Sequence, residues 1–206
     1  AEHNAHVTTL DLAPLVMHGG FKAAYDPKLR TLADHPYSLK FTRVVASEIA
    51  RLHLLQQGKV QKCCILDLDH TLWGGVIGDD GLDGIAIGRD GLGKVFREIQ
   101  LWARELRRRG VILAICSKNT ESVAREPFQR HPEMILREED IAVFVANWED
   151  KASNIRHIQE VLNIGFDSMV FIDDNPMERA IVQEQLPDVT VPDLPEAPEE
   201  FLPHLE

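Results

Sequence analysis

Hydrophobic and polar positions change rhythm along this chain. From Lys62 onward, short apolar runs read as strands: Cys63 to Asp67, Val111 to Cys116, Ile141 to Val145, Met169 to Asp173 and a weaker Val189 to Val191. Between them the apolar spacing becomes helical. Val95, Ile99, Trp102 and Leu106 mark the buried stripe of a helix ending at Gly110, and Ala152, Ile155, Ile158 and Leu162 mark another. Strands alternating with helices in this way predict an α/β fold, a mainly parallel sheet flanked by helices. Glycines interleaved with apolar residues from Trp73 to Gly88 predict a flap hairpin, and the Pro/Glu-rich tail from Pro192 is expected to wrap the surface.

Upstream, the rhythm is lost. Ala1 to about Tyr37 is polar, with Gly19, Gly20, Pro27 and Pro36 as breaks, and reads as an irregular arm. Ser38 then has the character of an N-cap, and Phe41, Val45, Ile49, Leu52 and Leu55 recur at helical spacing until Gly58. The predicted organisation is therefore residues 1–58, an arm and a helix packed on the core, followed by residues 59–206, the catalytic domain. About twenty residues separate Thr71 from the next helix and no long insertion lies near Lys151, so no large cap domain is expected.

Charge narrows the class of partner. With 33 acidic and 22 basic residues the net charge is -11, which argues against a dense basic face and so against nucleic acid. Apolar runs such as Val111 to Cys116 are far too short to span a bilayer, and no membrane association is expected. The opening Ala1 to Asn4 lacks a basic stretch followed by an apolar one, so no signal peptide is expected. Three cysteines in unrelated contexts read as free thiols of a cytoplasmic protein.

In a parallel sheet of this kind, ligands bind beyond the carboxyl ends of the strands. There the first strand delivers Asp67 and Asp69, and the fourth delivers Asp173 and Asp174. Asp is common at strand ends, so one pair alone would mean little. Two pairs on neighbouring strands repel one another unless a cation or a proton intervenes, and hard oxygen ligands without a soft partner favour Mg²⁺ over zinc. The second strand delivers Ser117, Lys118 and Asn119 before a helix starting near Thr120, and Lys151 opens the helix after the third. Metal, hydroxyl, helix amides and lysine together suit a phosphoryl group. Ser117 as a mere cap and Lys151 as a solvated charge are the plainer readings of each alone.

Asp67-x-Asp69-x-Thr71, Ser117, Lys151 and Asp173-Asp174, each at a strand end and in this order, resemble the four motifs of the haloacid dehalogenase (HAD) superfamily of phosphohydrolases and phosphotransferases. More closely, Leu66 to Gly81, Ile115 to Asn119, Asn147 to Lys151 and Phe171 to Arg179 resemble the FkbH-like branch, the likeness running from roughly Ser38 to Leu205. His70 stands where that branch usually has Asn, which bears on local hydrogen bonds rather than on the chemistry.

The resemblance implies a HAD-like Rossmannoid fold. It also implies a glyceryl transferase/phosphatase, which takes D-1,3-bisphosphoglycerate, removes phosphate, and loads the glyceryl unit as a thioester on the phosphopantetheine arm of an acyl carrier protein for polyketide biosynthesis. On that reading Asp67 is the nucleophile and Asp69 the acid and base. Mg²⁺ is held by Asp67, the Asp69 backbone carbonyl and Asp174, with Asp173 a direct or outer ligand. Thr71, Ser117, Lys118, Asn119 and Lys151 surround the small phosphorylated substrate. Thioester chemistry requires more than a phosphatase supplies, and Cys116, beside Ser117, is the candidate acyl carrier. Strand alternation and the habitual burial of cysteine oppose it. Two alternatives stand beside this reading: a capless phosphatase of small phosphate esters or phosphoproteins, and a non-catalytic docking module, against which the intact acidic set argues. Arg107 to Arg109 are assigned to a helix end, Trp73 and Trp148 to flap or core packing, and Arg179 with Glu178 to a supporting ion pair.

Overall fold

The computed structural model describes residues 9–56 and 60–205. Ala1 to Asn4, Gly58 and the side chain of Leu55, which entered the expectations above, lie outside the described residues. The chain divides into two compact units, Ala1–Val60 and Gln61–Glu206. Among the described residues no helix is long and apolar enough to cross a membrane.

The first unit departs from the expected irregular arm. It contains α1 (Ala13–Gly19), α2 (Phe21–Ala24), α3 (Pro27–Ala33) and α4 (Leu39–Gln56). The residues that read as breaks are the punctuation of these short helices. Pro14 and Pro27 occupy first turns, where a missing N–H costs nothing. Asp26 caps α3 by accepting from the amides of Lys28 and Leu29. Ser38 does cap α4: its hydroxyl accepts from Phe41 N at 3.1 Å and donates to Ala23 O at 2.6 Å. The predicted stripe of α4 is narrower than its period suggested, because Phe41 is buried while Ile49 is 56% exposed.

The second unit is a parallel sheet of β1 (Cys63–Leu66), β2 (Ile112–Ser117), β3 (Val143–Ala146) and β4 (Met169–Ile172), in the order β3-β2-β1-β4. Leu66 lies between Ile115 and Ile172, so the strands that carry the acidic pairs are neighbours. α5 (Ile77–Asp80) and α6 (Gly93–Arg108) follow β1, α7 (Glu121–Arg130) follows β2, α8 (Lys151–Leu162) follows β3, and α9 (Pro176–Gln185) with α10 (Phe201–Leu205) follow β4. The pleat sorts the strand residues into two cores. Cys64, Leu66, Leu113, Ile115 and Ile172 face the layer containing Phe96, Ile99 and Phe128, whereas Cys63, Ile65, Ala114, Cys116 and Phe171 face Ile155, Ile158 and Val182. Both faces are covered, which is why every strand reads as a continuous apolar run.

Three local expectations are refined. Val189 to Val191 forms one parallel bridge, Thr190 with Val170, and no strand, since Pro187 and Pro192 flank it and cannot donate to a ladder. The flap closes through a single antiparallel pair, Gly74 with Ala86, and its tip holds α5, a turn of helix. The tail seals as well as wraps: Leu194 and Phe201 are buried in the first core.

Candidate active site

At the carboxyl edge of the sheet, a cleft of about 180 Å³ is lined by Asp67, Asp69, His70, Ser117, Lys118, Lys151, Asp174, Asn175 and Glu178. A larger groove of about 650 Å³ beside α6 and α10, lined by groups such as Trp102 and Leu202, gathers no comparable carboxylate cluster. Backbone pairing continues one step past β1, with Asp67 N donating to Ile172 O at 2.9 Å, and this holds Asp67 beside Asp173. The chain then turns over buried Leu68 and Leu72, Leu72 N donating to Leu68 O at 2.7 Å. His70 takes φ 55°, a left-handed conformation that Asn, Asp and His enter more readily than other side chains. Its Nδ1 accepts from Gly75 N at 3.4 Å, so the imidazole supports the turn it occupies.

Asp67, Asp173 and Asp174 each bring an oxygen within 4.8 Å of the others. Asp67 and Asp173 are buried, and Asp174 is half-buried. Lys151, 2% exposed, donates to Asp67 Oδ2 at 2.9 Å and also to Asp173 Oδ2. At an effective dielectric of about 20, each carboxylate pair at that separation repels by about 3–4 kcal/mol, and one lysine cannot neutralise three anions. Burial and the neighbouring Asp67 charge therefore push Asp173 up to about 7 despite Lys151, and the same two causes raise Asp174. Burial alone would lower the ammonium of Lys151, but the two carboxylates overcome it and hold the lysine charged well above neutrality.

A buried acceptor without a donor is costly. Asp67 Oδ1 is such an atom, buried and without a hydrogen-bond partner. An idle oxygen, two further carboxylates with surplus charge and no thiol in the set fit a hard divalent cation.

The remaining expected residues divide between this cluster and its supports. The carboxylate of Asp69 stands apart from the three: Oδ1 accepts from Trp73 Nε1 at 2.8 Å and Ile77 N at 2.9 Å, and Oδ2 accepts from Asn119 Nδ2 at 2.7 Å. Thr71 and Asn119, expected around the phosphoryl group, thus engage protein carboxylates, since Thr71 Oγ1 donates to Asp174 Oδ1 at 3.3 Å and accepts from Asp174 N at 3.2 Å. Ser117 is buried at the end of β2 and lines the cleft, and Lys118 lines it while paired with Glu178. Cys116 does not join them. It is fully buried in the core on the other side of the pleat, its Sγ donating to Lys151 O at 3.8 Å, and burial pushes its thiol far above the usual range.

Two residues named in the sequence support the site through partners that were not expected. The indole of Trp73 fixes Asp69, and a buried indole N–H needs an acceptor, so an Asp four residues away was a signal. Arg179 pairs with Asp193 at 3.0 Å and not with Glu178, and its guanidinium donates to the carbonyls of Asp173 at 2.9 Å and Asp174 at 2.7 Å, which holds the acidic loop. Trp148, expected in flap or core packing, is 74% exposed and belongs to neither core, nor does it line the cleft, and Arg89 pairs weakly with Glu133 at 3.7 Å.

No family model and no curated protein matches the chain. Among solved structures, the N-terminal part of the protein BF1531 from Bacteroides fragilis, which contains a phosphatase domain and was solved with Mg, is 51% identical with a TM-score of 0.88 over 95% of this chain and 52% of that one. The fold is HAD-like. A solved structure from Clostridium difficile is similar in fold alone, at 11% identity and a TM-score of 0.50 over 64% of this chain and 84% of that one. The HAD-like protein SP0104 from Streptococcus pneumoniae aligns over 72% of this chain and all (100%) of its own, at 11% identity and a TM-score of 0.49. The chain spans about half (52%) the length of the BF1531 chain that it matches.

Proposed function

We propose that the chain is a capless, Mg²⁺-dependent phosphatase of small phosphate esters, with Asp67 as nucleophile. The observation that carries this is the idle, buried Oδ1 of Asp67 in a three-carboxylate cluster that holds one lysine. The BF1531 fragment, 51% identical and solved with Mg, supports the choice of ion. Held by Asp67, Asp173 and Asp174, Mg²⁺ would supply charge that offsets repulsion between the nucleophile and the phosphoryl oxygens.

An oxygen of Asp67 forms the new bond to phosphorus as the bond to the leaving alcohol breaks, giving an aspartyl phosphate. Asp69 delivers its proton to the departing oxygen. A water then attacks phosphorus, Asp69 takes the proton of that water, and the Asp67 carboxylate is released with inorganic phosphate. Lys151 and Ser117 face the phosphoryl oxygens, where the charge concentrates. Trp73, Ile77 N and Asn119 keep Asp69 in one orientation throughout.

The glyceryl transferase reading adds thioester formation on an acyl carrier protein. Its cysteine, Cys116, lies in the opposite core with a raised pKa, so the geometry supports the phosphatase reading better. A docking module has no use for the buried, charge-strained cluster.

Phosphate release from simple esters, measured with Mg²⁺ and with chelator, tests the reading. Release that needs Mg²⁺ and vanishes in Asp67→Asn supports it, and undiminished release by Asp67→Asn overturns it. In a parallel reaction with 1,3-bisphosphoglycerate and a phosphopantetheinylated carrier, a glyceryl mass on the carrier would bring the transferase reading back.

A further inference from the structure

Nothing in the proposed reaction uses Glu178. It stands in the first turn of α9 and lines the cleft, where Lys118 Nζ donates to its Oε1 at 2.6 Å. Its Oε2 is buried and accepts no hydrogen bond. The Lys118 side chain is 37% exposed and that of Glu178 13%, so the pair runs from the mouth of the cleft inward. Favourable interaction with the helix N-terminus accounts for an acid in a first turn, but not for an acceptor left idle. A pair that served only to anchor α9 would return little at this exposure, and less than the unmade bond costs. Because Oε2 is closed to water as the pair stands, a donor can complete the carboxylate only when a ligand in the cleft shifts the Glu178–Lys118 pair.

We propose that Glu178, with Lys118 beside it, determines specificity: it selects phosphate esters whose alcohol portion carries a hydrogen-bond donor, a hydroxyl or an ammonium, close to the phosphoryl group. This rests on the phosphatase reading, because a phosphoryl group at Asp67 is what turns the alcohol portion toward Glu178. Lys118 is released from Oε1 only in part, since its three N–H bonds can serve both Glu178 and an anionic oxygen. A donorless ester leaves Oε2 without a partner, and the discrimination arises from that difference.

Three esters of one size test this: ethyl, 2-hydroxyethyl and 2-aminoethyl phosphate, each measured as kcat/KM on the wild-type chain with Mg²⁺ and as Kd by calorimetry on Asp67→Asn with Mg²⁺. A preference of roughly tenfold or more for a donor-bearing ester over ethyl phosphate is expected, and Glu178→Leu should collapse that ratio toward one. Glu178→Gln separates the two donor classes, since it keeps a preference for the hydroxyl and loses one for the ammonium. The proposal is overturned by a wild-type ratio within about threefold of one, by a folded Glu178→Leu chain that keeps the full preference, or by variants that lose all three esters equally, which would make Glu178 a positioning residue for Lys118. Should Glu178→Leu melt early, the wild-type ratio and Glu178→Gln decide. Discriminating binding without any turnover sinks the phosphatase reading and leaves this one, turnover without discrimination does the reverse, and the absence of both sinks both.

Discussion

Replacing Lys151 by Met exposes how the charges in the cleft are balanced. The ammonium lies 2.9 Å from Asp67 Oδ2, a Coulomb attraction of about 6 kcal/mol at an effective dielectric of about 20, and it contacts Asp173 as well. Removing the lysine also removes the cost of burying it, so the net loss should fall to about 3–5 kcal/mol, as for other buried pairs deprived of one partner. At about 2–4 °C per kcal/mol for a chain of this length, that is a fall of about 10 °C in Tm. The loss must depend on pH. Without Lys151 the folded-state pKa of Asp173, already raised, rises further above the unfolded value near 4, so the penalty is absent when both states are protonated and grows as pH climbs toward the folded value. Scanning calorimetry should therefore find a much larger Tm difference between Lys151→Met and wild type at pH 8 than at pH 5, and millimolar Mg²⁺ should shrink the difference at pH 8. A Tm difference that is the same at both pH values and with or without Mg²⁺ would refute the charge-surplus account, leaving Lys151 as packing.

Because Asp173 holds a proton up to about 7, binding of Mg²⁺ must displace it, and apparent affinity should improve roughly tenfold between pH 6 and pH 8, with proton release visible in calorimetry run in buffers of different ionisation enthalpy. Asn119→Ala removes the Asp69 Oδ2 donor and should lower kcat by about 10- to 100-fold with little change in Mg²⁺ affinity, as titrated directly. Burial pushes Cys63 up to about 12 and Cys64 and Cys116 higher, so a thiol reagent should label none of the three in the native protein and all three in denaturant. Rapid native labelling of Cys116 would return it to the mechanism. His70→Asn should leave both Tm and turnover nearly unchanged, since either side chain accommodates the φ 55° turn.

The parallel sheet and the meeting of acidic residues from its first and fourth strands were legible in the chain. Each follows from local facts: apolar runs of strand length, helices between them, and Asp at the point where a run ends. The arm was misread because Pro and Gly punctuate short helices as readily as they interrupt longer ones, and only packing distinguishes the two. Cys116 adjoins Ser117 in sequence yet faces the opposite core, because the pleat separates neighbours by half a turn. That Asp69 is held by Trp73 and Asn119, that Thr71 serves Asp174, and that one lysine is shared by two carboxylates are matters of side-chain direction at distances of a few ångströms. Sequence determines which groups arrive at the sheet edge, since that depends on neighbours along the chain. Which of them touch, and which oxygen is left without a partner, is decided where four separate loops meet in space.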